Sequence, residues 1–114
     1  MRFMIIRKAD RETEAGVMPG EDLIVAMTRY NEALIKAGVM LDGQGLKPSS
    51  AGARMKFKGG KPSIVDGPFS ETKELLGGYY MIEAASYDQA VERTLDHPHL
   101  EYGGTIEVRH VFGS

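Results

Sequence analysis

Cysteine is absent from the 114 residues, which excludes disulfides, thiolate catalysis and zinc–sulfur sites together. A surplus of one charge is also lacking. The 14 basic and 16 acidic side chains leave a net charge of −2, so the composition advertises neither a nucleic-acid nor an anionic-membrane partner. Long apolar runs are missing as well: Phe3-Met4-Ile5-Ile6 is stopped at once by Arg7-Lys8, far short of a signal peptide or a membrane span. The expectation is a single domain over residues 1–114, working in the cytoplasm.

What is present reads as alternating strands and two amphipathic helices. Phe3, Ile5 and Arg7 alternate with Met4 and Ile6, and both faces are largely apolar, which predicts a central strand. Residues 8–20 are charged, punctuated by Gly and Pro and without a period, and so predict a surface loop. From Glu21 the positions Leu23, Ala26, Met27, Tyr30, Leu34 and Ala37 recur at helical spacing with Gly38 just past the end. Tyr30 falls on the apolar stripe as a core residue with its hydroxyl at the rim, while Arg29, Asn31, Glu32 and Lys36 read as a solvated face.

A second strand begins at Val39-Met40-Leu41, and Gly43 and Gly45 within it predict a bulge or a close backbone approach. Met55 and Phe57 alternate with Arg54, Lys56 and Lys58 up to Gly59-Gly60, and residues 61–66 return, which is a hairpin whose Pro62 suits an edge. Residues 79–84 alternate Tyr80, Ile82 and Ala84 against Tyr79, Met81 and Glu83. Ser86 with Gln89 three residues on forms a capping box for a second helix, ended by Asp96-His97-Pro98. The last strand sorts Ile106, Val108, His110 and Phe112 onto one face and Thr105, Glu107, Arg109 and Val111 onto the other.

Setting the hairpin aside, the order is strand, helix, strand, strand, helix, strand. That is the split βαβ arrangement of an α+β, ferredoxin-like domain with both helices on one sheet face. If Ile106 and Val108 lie under the helices, Glu107 and Arg109 join Met4 and Ile6 on a mixed face too apolar to leave in water. Pairing with a second copy would cover that face and enclose Glu107 and Arg109, giving a homodimer.

Between the hairpin and the next strand runs Asp66-Gly67-Pro68-Phe69-Ser70-Glu71-Thr72-Lys73-Glu74. Pro68 holds Gly67 out of the α region, so the chain turns sharply after Asp66. The Asp66 carboxylate is expected to cap N–H groups of the turn from Gly67 to Ser70, and one helical turn could follow from Ser70. This stretch, with Gly77-Gly78-Tyr79, with Gly43-Gln44-Gly45-Leu46-Lys47-Pro48, and with His97-Pro98 followed by Gly104 and Ile106-Glu107-Val108-Arg109, resembles the DGPF branch of the YCII-related proteins over nearly the whole chain. The resemblance implies a ferredoxin-like subunit that pairs into a dimeric α/β barrel, with an undefined molecular role. Proteins of this branch also resemble domains found beside extracytoplasmic-function sigma factors. Members outside the branch are associated with a proposed dyad of a histidine in the first helical region and an aspartate. Here no histidine precedes His97, so the dyad does not carry over, although Asp42 lies in the second strand.

The candidate ligand-binding groups are Asp66, Glu71, Lys73, His97, Glu107 and Arg109, with Glu83 and the hydroxyls of Tyr79 and Tyr80 beside them. His97 is either a general acid–base group or a helix C-cap. Arg109 is a natural clamp for a carboxylate or phosphate, or else a partner of Glu107. Asp96, His97, His99 and Glu101 are too loosely spaced for a metal, and no cofactor is implied. One reading is a protein that binds a small anionic molecule in a polar cavity at the dimer barrel, with or without transforming it. The competing reading is a non-enzymatic interaction or regulatory module, marked by an exposed apolar patch away from the dimer face.

Overall fold

The computed structural model describes residues 1–69 and 75–114. In chain order the elements are β1 (Arg2–Lys8), α1 (Arg11–Glu14), α2 (Glu21–Lys36), β2 (Met40–Gly45), a 3-10 turn (Ser49–Ala51), β3 (Ala53–Lys58), β4 (Lys61–Asp66), β5 (Leu76–Glu83), α3 (Tyr87–Leu95), a second 3-10 turn (Pro98–Leu100) and β6 (Ile106–His110). Strands β2, β5, β1 and β6 form one antiparallel sheet in that order, and β3 and β4 form a separate hairpin. Each long helix therefore joins two parallel strands with an antiparallel strand between them, which is the ferredoxin-like arrangement.

Alternation along β1 decides the core. Phe3 and Ile5 point under the helices and are fully buried with Ile82 of β5, against Tyr30 and Leu34 of α2 and Ala90 of α3. Ile106 and Val108 pack at the edge of this cluster, as their spacing predicts. The register places Met4 between Met81 and Arg109, and Ile6 between Tyr79 and Glu107, so these residues share the opposite face. No helix covers that face among the described residues, and Met4, Ile6 and Met81 are only half-buried there.

Three local readings change. Residues 8–20 are not all loop: Asp10 accepts a hydrogen bond from the Thr13 N–H at 2.7 Å and caps the short helix α1. Ala37, placed on the apolar stripe, is exposed at the C-cap of α2. Asn31, read as solvated, is half-buried because it follows Met27 by four residues and precedes Leu34 by three, on the inward stripe.

The irregularity expected at Gly43 and Gly45 of β2 is not a bulge there: the register shift lies earlier, between Met40 and Asp42, and at Gly43 it is a close approach, by the ring of Tyr80. The capping box also forms: the Ser86 hydroxyl accepts from the Gln89 N–H at 3.1 Å, and the Gln89 side chain accepts from the Ala85 N–H at 2.7 Å.

Candidate functional site

Arg7 continues the inward alternation of Phe3 and Ile5 but lies beyond the end of the core, where a guanidinium can be held without full burial. A bulge makes room for it. Arg7 pairs with Gly78 and Lys8 with Leu76, so Gly77 is the extra residue, and its carbonyl accepts from Arg7 Nη2 at 2.6 Å and from the Leu46 N–H at 3.0 Å. A side chain at 77 would collide with the guanidinium, since its Cβ would lie 2.7 Å from Arg7 Cζ. Arg7 Nη1 also reaches Thr13 Oγ1 at 3.5 Å, a long contact that ties β1 to α1.

Tyr80 stands one step nearer the core, opposite Ile5 on β1 and Gly43 on β2. Its ring lies against the backbone of Gly43, where a Cβ would come within 2.5 Å of Cδ1. The Tyr80 hydroxyl donates to Asn31 Oδ1, and Tyr30 donates to the Arg93 carbonyl at 2.8 Å.

His97 follows α3 and is 4% exposed, packed against Tyr30 at 5.1 Å and Tyr80 at 5.9 Å between ring centres. It is not the C-cap of α3, which is Asp96; instead its Nδ1 accepts from the His99 N–H at 3.2 Å and caps the turn Pro98–Leu100. Accepting at Nδ1 leaves the proton of the neutral ring on Nε2. His99 packs on His97 at 5.1 Å, and its own Nδ1 is buried without a hydrogen-bond partner among the described residues.

These groups meet where two cavities adjoin. The smaller, about 240 Å³, is lined by Arg7, Asn31, Tyr80, His97 and His99. The larger, about 850 Å³, shares Arg7, Gly45 and His99 and opens between α1, the start of α2 and the segment after β2. Burial drives His97 down to about 4, with His99 and Arg7 adding to the effect, and lowers His99 by burial and then by Arg7, against Asp10. Burial raises Tyr80, opposed by its bond to Asn31 and by Arg7. Arg7 is lowered by burial, opposed by Asp10 and then Tyr80, and stays a cation at any relevant pH. At neutral pH the interior thus holds one fixed cation among neutral imidazoles and phenols. Such a set can hold an anion and accept a proton.

Of the groups predicted for the site, His97, Tyr80 and Tyr79 line the smaller cavity among the described residues. Asp66 is exposed at the end of β4. It does not cap the described part of its turn, because the Gly67 N–H goes to the Gly52 carbonyl at 3.0 Å and the Phe69 N–H to Ser49 Oγ at 3.0 Å. Glu107 and Arg109 lie on the open sheet face, paired at 3.2 Å, with Lys8 Nζ 3.9 Å from Glu107. Neither cavity is lined by Asp66, Glu107 or Arg109. Glu71, Lys73 and the helical turn expected from Ser70 lie outside the described residues. Asp42 accepts from the Tyr79 hydroxyl at 2.8 Å on the open side. Among the described residues no group of three His, Cys, Asp or Glu is placed to hold a metal.

The Asp66–Phe69 turn braces the larger cavity from behind. Its Gly67–Pro68 peptide is cis, and Gly67 lies so close to the Ser49 carbonyl that a Cβ would fall 1.8 Å from the oxygen. Ser49 in turn donates its N–H to Glu14 Oε1 at 3.0 Å and its hydroxyl to Glu14 Oε2, which ties the turn to the end of α1. Arg54 stacks 4.1 Å over the Phe69 ring.

Comparison with known proteins agrees with the fold. The family model of the YCII-related domain matches residues 1–113, and the chain belongs to that family. An uncharacterized protein of Rhizobium meliloti (strain 1021) is 35% identical over 86 residues, covering 75% of this chain and 64% of that protein, so the chain spans a little under two thirds of that relative's length. The structure of 5-chloro-2-hydroxyhydroquinone dehydrochlorinase (TftG) from Burkholderia phenoliruptrix AC1100, in complex with 2,5-dihydroxybenzoquinone, superposes with a TM-score of 0.57 at 18% identity, over 100% of this chain and 96% of that one. At that identity the likeness concerns the fold alone.

Proposed function

We propose that the chain is a cytoplasmic, homodimeric enzyme that binds a small, singly charged acid through Arg7 and moves a proton to or from it with His99. The observation that carries this is the Arg7 guanidinium sharing the wall of one cavity with the imidazole of His99, which burial keeps neutral. A lone guanidinium is a natural clamp for one acidic group, and a neutral imidazole beside it can take up a proton. The reading also draws support from a fold neighbour described as a dehydrochlorinase in complex with 2,5-dihydroxybenzoquinone. The dimer rests on the open sheet face of Met4, Ile6, Tyr79 and Met81, which a second copy would cover as in a dimeric barrel, placing Glu107 and Arg109 in the polar space between sheets.

The test is a thermal-shift panel of small carboxylates and acidic phenols on wild type, Arg7→Met and His99→Gln. A ligand at ten times its Kd should stabilise wild type by about 1.4 kcal/mol by mass action and leave Arg7→Met unmoved. If that ligand carries an acidic C–H, His99→Gln should slow its exchange with D2O while binding persists. A shift of equal size in Arg7→Met would refute the site.

One observation favours a second reading, that of an interaction module. Met55, Phe57 and Ile64 share a face of the hairpin and are 69%, 76% and 68% exposed. If the hairpin is the functional surface, Phe57→Lys should abolish partner binding without touching any ligand effect on stability.

A further inference from the structure

The larger cavity is apolar in a way the surface around it is not. Val17 and Met18 come from the segment joining α1 to α2, Leu23 from the first turn of α2, Leu46 and Pro48 from the chain after β2, and Tyr102 from the chain before β6. Met18 is 78% exposed, Tyr102 57%, Val17 55% and Leu46 43%. Single exposed apolar side chains are normal, but several from three separate segments facing one concave space of about 850 Å³ are not, and the residues they leave wet would gain from an apolar guest. Its only cations among the lining residues are Arg7, at the shared wall, and Lys47. Asp10, Glu12, Glu21 and Asp22 also line it, so a second negative charge on a ligand would meet repulsion along the cavity.

We infer that the ligand is an amphipathic monoacid: its charged head sits at Arg7 and His99, and an uncharged apolar tail runs from there into the larger cavity against Met18, Leu46 and Tyr102. The inference rests on the anion reading above. Continuity is what joins the two halves, because Arg7, Gly45 and His99 line both cavities and a molecule anchored in the smaller one has the larger as its only roomy extension among the two. The brace from Glu14 through Ser49 to Phe69 holds the segment that carries Leu46 and Pro48, so the wall facing the tail is built before the ligand arrives.

The experiment is an NMR titration of the full chain with butyrate, hexanoate and octanoate, and with suberate as an eight-carbon diacid. Affinity should rise roughly two- to fourfold with each added methylene, the upper figure being that for full burial of the group. Octanoate should shift the amides of Met18 and Leu46 as well as those of Arg7 and His99, and suberate should bind at least tenfold more weakly than octanoate. In Met18→Asp, whose side chain is exposed and whose change the fold should tolerate, octanoate should lose about tenfold while butyrate stays within twofold. Butyrate and octanoate of equal affinity in wild type, or equal losses of both in Met18→Asp, would overturn the tail while leaving the head at Arg7 intact. Butyrate binding that survives Arg7→Met, or no binding by any of the acids, would overturn the anion reading and the tail with it.

Discussion

Replacing Gly77 by alanine should disable the site while sparing the fold. The added Cβ would stand 2.7 Å from Cζ, Nη1 and Nη2 of Arg7, and contact between such atoms needs about 3.5 Å, so the guanidinium must lift by about 1 Å. Backbone geometry does not oppose the change, because Gly77 has no positive φ. The displaced group loses its 2.6 Å bond to the Gly77 carbonyl. A bond to a charged donor contributes about 1.5–3 kcal/mol, but Arg7 is only half-buried and water can replace part of it, so we expect a loss of about 1 kcal/mol and a midpoint lower by about 4 °C. Binding of a small carboxylate should fall tenfold or more, since a charge moved off its position no longer meets the anion. Urea unfolding reads the first effect and the NMR titration the second. In the Arg7→Met background the guanidinium that the Cβ would strike is gone, so Gly77→Ala should then cost little stability and change no binding. If Gly77→Ala is as damaging there as in wild type, the glycine serves the bulge and not the arginine, and the account of the site fails.

His97 sets a pH dependence: its folded value near 4 lies below the unfolded value near 6.5, so the unfolded chain binds more protons in that window and stability, full above about 6.5, should fall by about 2–3 kcal/mol as the pH drops towards 4. The slope should weaken markedly in His97→Phe, leaving the share of His99, whose value burial lowers in the same direction, and an unchanged slope would assign it to other groups. Gly67→Ala should destabilise by about 2–3 kcal/mol, because the Cβ meets the Ser49 backbone 1.8 Å away and no rotamer relieves it, whereas Asp66→Ala should leave the denaturation midpoint unchanged. Equal effects of the two would contradict the brace. Ile6→Glu on the open sheet face should convert a dimer into a 12.5 kDa monomer in light scattering, and a wild type already monomeric at micromolar concentration would remove the dimer.

The sheet was legible because its signals are periodic: alternation in β5 and in residues 106–108 of β6 sorts the core face from the open one, whereas β1 is apolar on both faces and Phe112, expected on the core face, lies exposed beyond the end of β6. The helix α1 was not, since four residues cannot show a period, and only Asp10 three positions before Thr13 could have marked it. Asp66 was read by the habit of aspartates at turns. The turn's described N–H groups, those of Gly67 and Phe69, go to Gly52 and Ser49 instead, partners supplied by a segment well earlier in the chain, and no local rule can name such partners.

The site itself was half visible, and what hid it was the weighing of side chains one at a time. His97 and the Tyr80 hydroxyl were selected for their chemistry, yet Arg7 passed as the end of a strand, Asn31 as solvated surface and His99 as part of a poor metal set. What Arg7, His99 and Tyr80 have in common is a glycine or a neighbouring ring beside them: Gly77 under Arg7, Gly43 under Tyr80, His97 against His99. Both glycines lie inside strands, where glycine has no side chain to pack and weakens the pairing unless something must come close. For Gly43 that approach was foreseen, but not what would approach. Following each strand glycine to the large polar residue opposite it in the antiparallel register leads from Gly43 to Tyr80, and from the Gly77-Gly78 pair to Arg7. That route reaches two members of the site before any pocket is considered, and it reaches them through the same glycines by which the chain resembles its family.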